Sequence, residues 1–289
     1  MHFIRRDILK FSKYHALGNV YIVVNPEQIE FELSTAIIKN ICHKNYGVSS
    51  DGLLIGPLDS TAADFTLRIF NPDGSEAEKS GNGLRIFCRY LWDLDLVDDT
   101  PFSVETKGGL VSAQVFEDGS IVKVEMGTVS FSSLKIPVLG VEREVLLETI
   151  EVNGHSFKFS ALTIGNPHCV ILVDEPTEEI ARTFGSIIEN HPNFPNRINV
   201  QFLKVIDRNN IKIEIWERGA GYTLASGSSS CAAASVARKL GLCENNIKVF
   251  MPGGEIDIEI SENYTVTMQG AVTQVCIGEI YPECLSQNI

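Results

Sequence analysis

Two serine-glycine loops have the residue types that bind a carboxylate and exchange a proton. They are EKSGNG at residues 78–83 and SGSSS at residues 226–230. A helical pattern follows each loop, at residues 84–92 and 231–240, and Gly241 is placed to close the second helix. The free N–H groups at a helix start bind anions well. Taken alone, Ser80 or Ser226 has the simpler explanation of a helix N-cap.

An internal repeat places these two loops at equivalent positions of the chain. The triplet LGN at residues 17–19 precedes the apolar run YIVV, and IGN at residues 164–166 precedes the run VILV, 147 residues later. The segments RIFN (68–71) and EIWE (214–217) lead to Ser80 and Ser226 at the same spacing. A duplicated chain presents two anion-binding helix starts, and small-molecule sites tend to lie in clefts between domains. We therefore expect one ligand site in the interdomain cleft.

The sequence predicts that the elements which position these loops are short strands, with few helices among them. Alternating apolar and polar residues at 111–115, 121–126, 211–215, 256–260 and 264–268 predict half-buried strands. The fold class is therefore α+β, with two pseudo-symmetric domains and a boundary near residue 125. A chain of 289 residues with 44% hydrophobic content can form two such cores.

Composition excludes several classes of function. A net charge of −13 disfavours binding to nucleic acid or to anionic membranes. The first ten residues have no apolar run behind their two arginines, and no segment has the length of a membrane span, so we expect a cytoplasmic protein. Seven scattered cysteines without a CxxC pair indicate neither a disulfide framework nor a metal site. Motifs for dinucleotide binding, phosphoryl transfer and zinc hydrolysis are missing as well.

A series of motifs resembles the diaminopimelate epimerase family. In chain order they are FSKYHALGN (11–19), FNPDGSE (70–76), SGNG (80–83), GNPH (165–168), NRINV (196–200) and WERG (216–219), followed by the second Ser-Gly pair. They cover nearly the whole chain. The resemblance implies two similar domains, each a mixed or antiparallel sheet wrapped around a central helix. It also implies that a last strand at about 275–281 returns to the first domain, which gives domains of 1–124 plus 275–289 and of 125–274.

The same resemblance implies inversion of an amino acid at Cα, from LL- to meso-diaminopimelate in lysine biosynthesis, without pyridoxal phosphate or another cofactor. Two thiols would act on opposite faces of Cα, one removing the proton and the other delivering one. The expected partner is a small amino acid, and we also expect a homodimer.

Site residues follow from the resemblance position by position. The positions of the two thiols are Ser80 and Ser226, and the residues beside them are His168 and Glu217. The groups expected to hold the far carboxylate and the amine are Asn71, Asn166, Asn199 and Arg218. Asn19 would line the site. The backbone N–H groups expected to hold the near carboxylate are those of Gly81, Asn82, Gly227 and Ser228.

Serine at both thiol positions leaves three interpretations open. A serine hydroxyl is far less acidic than a thiol and is a weak base unless a neighbour activates it. The chain is an epimerase made inactive by deliberate replacement of both cysteines, or a natural relative with different proton-transfer chemistry, or a non-catalytic amino-acid-binding protein. For the second interpretation the candidate bases are Asp73, Glu76, Glu78 and Glu217. We expect Cys88 and Cys231 to be buried within the helices and to take no part.

Overall fold

A computed structural model describes residues 8–29 and 31–286. The segment 1–7, where we expect no leader, lies outside the described residues. The chain forms two compact units: unit 1 comprises Met1–Val124 with Ala271–Ile289, and unit 2 comprises Glu125–Gly270. The chain re-enters unit 1 at Ala271, whereas the family resemblance implied a return at about residue 275.

Unit 1 contains the first eight strands. They are β1 (Leu9–Ala16), β2 (Asn19–Val24), β3 (Leu53–Leu58), β4 (Phe65–Phe70), β5 (Glu76–Ala77), β6 (Phe102–Thr106), β7 (Gly109–Phe116) and β8 (Ile121–Thr128), the last of which continues into unit 2. Its helices are α1 (Thr35–Cys42) and α2 (Gly81–Asp93), with short 3-10 turns at Pro26–Gln28 and Glu117–Gly119.

Unit 2 repeats this series of elements. Its strands are β9 (Glu148–Val152), β10 (His155–Thr163), β11 (Pro167–Leu172), β12 (Asn199–Asp207), β13 (Asn210–Glu217), β14 (Gly221–Thr223), β15 (Asn246–Met251), β16 (Gly254–Ile260) and β17 (Thr265–Ala271). Its helices are α3 (Glu178–Glu189) and α4 (Gly227–Lys239). The last elements in the described part of the chain are β18 (Thr273–Ile280) and the short helix α5 (Pro282–Leu285), both of which belong to unit 1.

The sheets of the two units have the same pairing pattern. In unit 1 the order is β18-β1-β2-β3-β4-β6-β7-β8, in which β2–β3 and β4–β6 are parallel. In unit 2 the order is β9-β10-β11-β12-β13-β15-β16-β17, with β11–β12 and β13–β15 parallel. The remaining pairs are antiparallel, so each sheet is mixed. The parallel pairs are the places where a helix crosses over, because parallel strands cannot be joined by a tight turn.

One helix covers each face of each sheet. Ile38 and Ile41 of α1 pack with Ile22 and Leu53 in one hydrophobic cluster of unit 1, while α2 packs against β1, β2 and β3. In unit 2, α3 contributes to the corresponding cluster with Cys169 and Phe202. There α4 packs against β10 to β13. Because side chains alternate along a strand, neighbouring residues of β2 and β11 face different helices.

The two central helices begin earlier than their apolar patterns suggest. Gly81 begins α2 and Gly227 begins α4, with Ser80 and Ser226 as N-caps in extended conformation. Their first turns consist of glycine, asparagine and serine, which look like loop residues in a sequence. Among the helices of the described part of the chain, none is long and apolar enough to cross a membrane.

Candidate active site

In unit 1, candidate site residues lie around the N-cap of α2. The Ser80 Oγ accepts the backbone N–H of Gly83 at 3.1 Å, which is the usual contact of an N-cap serine. The Tyr21 hydroxyl lies 3.1 Å from the same Oγ, and either oxygen can be the donor. Tyr21 comes from β2 and is only 7% exposed. Its neighbour Ile22 faces α1 instead, so the alternation of β2 directs the phenol to the start of α2.

A second set of contacts ties the first turn of α2 to the start of β2. The Asn82 amide nitrogen donates to the Asn19 Oδ1 at 3.0 Å. The Asn19 amide nitrogen donates to Asp51 at 3.0 Å, and the guanidinium of the buried Arg85 donates to the Asn82 Oδ1 at 2.8 Å. These bonds fix the orientation of both amides. The N–H groups of Gly81 and Asn82 have no acceptor within the helix because they belong to its first turn.

Asn71 and two of the candidate bases lie between β4 and α2 and have local partners. The Asn71 amide nitrogen donates to the Ser75 Oγ at 2.9 Å. Hydrogen bonds from the Ser75 hydroxyl and backbone lower the pKa of Asp73. The Arg68 guanidinium, 2.8 Å from Glu76, lowers the pKa of that carboxyl. A lowered pKa makes Asp73 and Glu76 weaker bases, whereas a general base works best when its pKa lies near the operating pH.

In unit 2, the start of α4 has the same construction as the start of α2 in unit 1. The Ser226 Oγ accepts the N–H of Ser229 at 3.4 Å, and Ser226 is buried. The amide nitrogen of Asn166 reaches the Ser228 Oγ at 3.4 Å. The N–H groups of Gly227 and Ser228 belong to the first turn of α4 and, like those of unit 1, have no acceptor within their helix.

His168 is fully buried beside this helix start. Its Nε2 lies 3.0 Å from the Asn166 Oδ1. Burial lowers its pKa to about 3, the contact with Gln201 works in the opposite direction, and the charge of Arg218 adds to the lowering. The imidazole is therefore neutral near pH 7. Gln201 lies on the same face of the β11–β12 pair and donates to the Ser229 Oγ at 3.0 Å, so it links β12 to α4.

Asn199 joins this group to Arg218. Its amide nitrogen donates to the Pro167 carbonyl at 2.8 Å, and its Oδ1 accepts the backbone N–H of Arg218 at 3.0 Å. The Arg218 guanidinium donates to the Asn196 carbonyl at 3.1 Å. Unit 2 therefore brings together four of the residues expected from the sequence: Asn166, His168, Asn199 and Arg218. Glu217 immediately precedes Arg218, at the end of β13.

A buried carboxylate from α3 holds the turn that carries Arg218. Glu189 accepts the N–H of Gly219 at 2.9 Å, the indole N–H of Trp216 at 2.8 Å and a guanidinium N–H of Arg197 at 3.1 Å. Gly219 has a φ of 80°, a conformation that suits glycine. Glu189 thus fixes both sides of Glu217 and Arg218 without being part of the motif that contains them.

Comparison with known sequences assigns the family. The sequence profile described as diaminopimelate epimerase matches residues 11–132 and 160–275. A relative named diaminopimelate epimerase 2, from Nostoc sp. (strain PCC 7120), is 60% identical over 275 residues, which are 95% of this chain and 96% of that protein. The chain belongs to the diaminopimelate epimerase family. A diaminopimelate epimerase from Moorella thermoacetica is 37% identical over 94% of this chain and 99% of its own length.

Solved structures support the fold of this family. A hydroxyproline epimerase from Agrobacterium vitis matches with a TM-score of 0.70 at 14% identity, over 95% of this chain and 91% of that one. A phenazine biosynthesis protein of the PhzF family from Bacillus anthracis matches with a TM-score of 0.66 at 16% identity, over 95% of this chain and 99% of its own. At such identities these likenesses concern the fold alone.

Sequence reasoning missed several residues around the family's motifs, chiefly Tyr21, Asp51, Glu189 and Gln201. One signal was present, because the offset of 147 that pairs Asn19 with Asn166 also pairs Tyr21 with His168. The expectation for two cysteines is confirmed: Cys88 and Cys231 are fully buried in α2 and α4. Burial also raises the pKa of the Cys88 thiol, which makes it unreactive.

Proposed function

We propose that this protein interconverts LL- and meso-diaminopimelate by exchanging the proton at one Cα, without pyridoxal phosphate. One observation carries the proposal. Each unit presents a serine N-cap and, behind it, N–H groups that have no acceptor within their own helix. The first turn of each helix also bonds to an asparagine at the start of the equivalent strand. Inversion requires one acid-base group for each face of Cα, and a duplicated fold supplies two.

In this proposal, backbone N–H groups bind one end of the substrate and side chains bind the other. The near carboxylate takes hydrogen bonds from the N–H groups of Gly81 and Asn82, and from those of Gly227 and Ser228, at the positive ends of two helix dipoles. Arg218 takes the far carboxylate, because a guanidinium matches the geometry of that group.

The amine in this proposal is held by the amides of Asn166 and Asn199. Both amides have orientations fixed by neighbouring groups. Asn19 lines the site beside Asn82. The turn containing Asn71 contributes to the far end of the substrate.

The hydroxyls of Ser80 and Ser226 need more activation to transfer a proton than two thiols would need. A helix dipole supplies only about 1 kcal/mol to an anion, which is small beside the difference in acidity between hydroxyl and thiol. His168 is neutral and bonded to Asn166. We propose that it orients that amide and that it does not act as a proton donor. We propose that Glu217, next to Arg218 at the end of β13, adjusts the protonation of Ser226.

The test is incubation of the protein with LL-diaminopimelate in D2O. Deuterium at Cα, together with formation of the meso isomer, supports epimerisation. Binding measured by calorimetry without any deuterium uptake would instead identify an amino-acid-binding protein. Uptake that persists after Ser80→Ala and Ser226→Ala but disappears after Glu217→Gln would identify a carboxylate base.

We further propose a cytoplasmic enzyme of lysine biosynthesis that acts as a homodimer. Val275 and Ile277 of β18 are exposed by 51% and 72%, an apolar surface on unit 1 that a second copy would cover. Sedimentation equilibrium tests the dimer, with a mass twice the 31.9 kDa of the chain as the expected result.

A further inference from the structure

Tyr21 and Ser80 form a hydroxyl pair at the start of α2, with their oxygens 3.1 Å apart. We propose that Tyr21 activates Ser80 by exchanging a proton with its hydroxyl, so that the pair performs the acid-base step that a thiol would perform alone. This proposal rests on the epimerase function proposed above. It concerns one face of Cα only.

The acidity of a phenol makes Tyr21 suitable for this task. An unperturbed tyrosine has a pKa of about 10, and a cysteine thiol has one of about 8.5. A serine hydroxyl is much less acidic and becomes a useful base only when a neighbouring group takes its proton. The phenol is therefore the closer substitute for the thiol, while Ser80 occupies the N-cap position.

The hydrogen bonds of Ser80 suit a proton relay. Its Oγ accepts the N–H of Gly83 at 3.1 Å. When the Tyr21 hydroxyl also donates, the oxygen has two donors, and the serine proton is directed elsewhere. Both bonds stabilise the alkoxide form of Ser80, because hydrogen bonds to the charged form favour it. Tyr21 is nearly buried, and a hydrogen bond is stronger where water is excluded.

The positions of both residues are fixed by their elements. Tyr21 lies two residues after Asn19 on β2, and Asn19 is held by Asn82 from the first turn of α2 at 3.0 Å. The same packing of α2 on β2 therefore sets the distance between the two hydroxyls. Tyr21 acts through Ser80 and is not in contact with Cα in this proposal. Its role is to hold the Ser80 hydroxyl in position and to exchange a proton with it.

The proton balance closes without any further reactant. In the base direction the Cα–H bond breaks, its proton joins the Ser80 oxygen, and the serine's own proton moves to the phenolate of Tyr21. The electron pair stays on Cα. In the acid direction Tyr21 returns a proton to Ser80 while the Ser80 proton forms the new Cα–H bond. The opposite face of Cα takes its proton from the Ser226 hydroxyl. The enzyme thus alternates between a form with a phenolate at Tyr21 and a hydroxyl at Ser226, and a form with a phenol at Tyr21 and an alkoxide at Ser226. Proton exchange with solvent interconverts the two forms.

Unit 2 has a different ring at the equivalent position. The residue 147 positions after Tyr21 is His168, whose Nε2 contacts Asn166. The relay therefore belongs to the Ser80 face, and removing the phenol affects proton transfer on that face.

The experiment is a double-mutant cycle with Tyr21→Phe and Ser80→Cys, assayed by inversion of diaminopimelate and by deuterium uptake at Cα. We expect Tyr21→Phe to lower kcat by about 100-fold, the size of a general acid-base contribution, with little change in KM. In the Ser80→Cys background the same change should cost less than about threefold, since a thiol needs no relay. Activity of the double variant also shows that the fold tolerates the loss of the phenol oxygen. Tyr90→Phe, at a tyrosine of α2 equally shielded from solvent, is the matched control.

Three results would overturn the proposal. They are wild-type kcat in Tyr21→Phe, an equal loss in both backgrounds, and a silent wild type beside an active Ser80→Cys/Ser226→Cys variant. In the first and second cases the epimerase function itself survives. If the wild type binds diaminopimelate without exchange at Cα, as in the third case, the proposed function fails as well.

Discussion

The carboxylate of Glu189 accepts the backbone N–H of Gly219 at 2.9 Å, directly after Arg218. Glu189 accepts three hydrogen bonds, from Gly219, Trp216 and Arg197. In Glu189→Gln the side-chain NH2 group faces these donors and cannot accept from them, so the turn that contains Arg218 must rearrange. We expect Glu189→Gln to weaken diaminopimelate binding about tenfold and to leave lysine binding nearly unchanged, because only the far carboxylate needs Arg218. Calorimetry with both ligands measures the ratio. Glu178→Gln is the control, since that residue of α3 is exposed and pairs with Arg182. Equal weakening for both ligands would indicate a merely structural role.

Gly185 lies in α3 against Trp216, the indole that donates to Glu189. Glycine to alanine in a helix interior normally stabilises by up to about 1 kcal/mol. Here an added Cβ would lie 2.5 Å from the Trp216 ring. We expect Gly185→Ala to destabilise the protein by about 1 to 3 kcal/mol, as overpacking does. Urea unfolding measures the change, and the exposed Ser186→Ala in the same helix should show no such loss. A stabilised Gly185→Ala protein would contradict the prediction.

Arg218 should make the protein prefer a dicarboxylic substrate. Lysine lacks the far carboxylate, so its binding leaves the guanidinium without that partner. We expect a difference of about 1 to 3 kcal/mol in favour of diaminopimelate. In Arg218→Gln this difference should disappear, whereas the control Arg208→Gln, at an exposed ion pair with Glu244, should retain it. Equal affinity of the wild type for the two ligands would rule out the assignment of Arg218.

Cysteine at both N-caps should raise epimerisation strongly. A thiol at a helix N-terminus has a lowered pKa and a usable thiolate fraction at neutral pH. We expect Ser80→Cys with Ser226→Cys to increase kcat by about 100-fold or more, and either change alone to give far less, because each thiol serves one face. Chiral chromatography of the products measures it, with the exposed Ser186→Cys as a thiol control. A folded, ligand-binding double variant without inversion would show that these serines are not the acid-base positions.

His168 should make stability depend on pH. Burial lowers its pKa from 6.5 to about 3 in the folded protein. Between these values the unfolded chain binds a proton that the folded chain does not, so this histidine makes the free energy of unfolding fall as the pH falls. The slope is about 1.4 kcal/mol per pH unit, which amounts to about 2 kcal/mol between pH 6.5 and 5.

Urea unfolding of His168→Gln at pH 7 and pH 5 tests this. The variant should lack that part of the pH dependence, with the exposed His155→Gln as the control for loss of an imidazole. An unchanged pH dependence in His168→Gln would show that the pKa of His168 is the same in the folded and unfolded states.

The sequence by itself determined the duplication, the α+β class and the two N-caps. These features are local: Ser80 and Ser226 cap helices through bonds to residues three positions ahead, and short motifs mark both helix starts. The offset that pairs Asn19 with Asn166 is likewise visible without a structure. The first turns of α2 and α4 were missed only because their small polar residues have no helical pattern.

The tertiary structure alone decided which partners these residues have. Tyr21 reaches Ser80 across 59 positions of the chain, and Glu189 reaches Gly219 across 30. Strand alternation shows that Tyr21 and Ile22 face opposite sides of β2, but it does not show which helix covers each side. That is settled by the parallel β2–β3 and β11–β12 pairs, whose crossovers place α1 and α3 on one face of each sheet and leave the other face to α2 and α4. The periodicity of a sequence does not show which helix packs on which face of a sheet. That choice is made by the free energy of burying the whole apolar face of a sheet against a helix, which involves residues far apart in the chain.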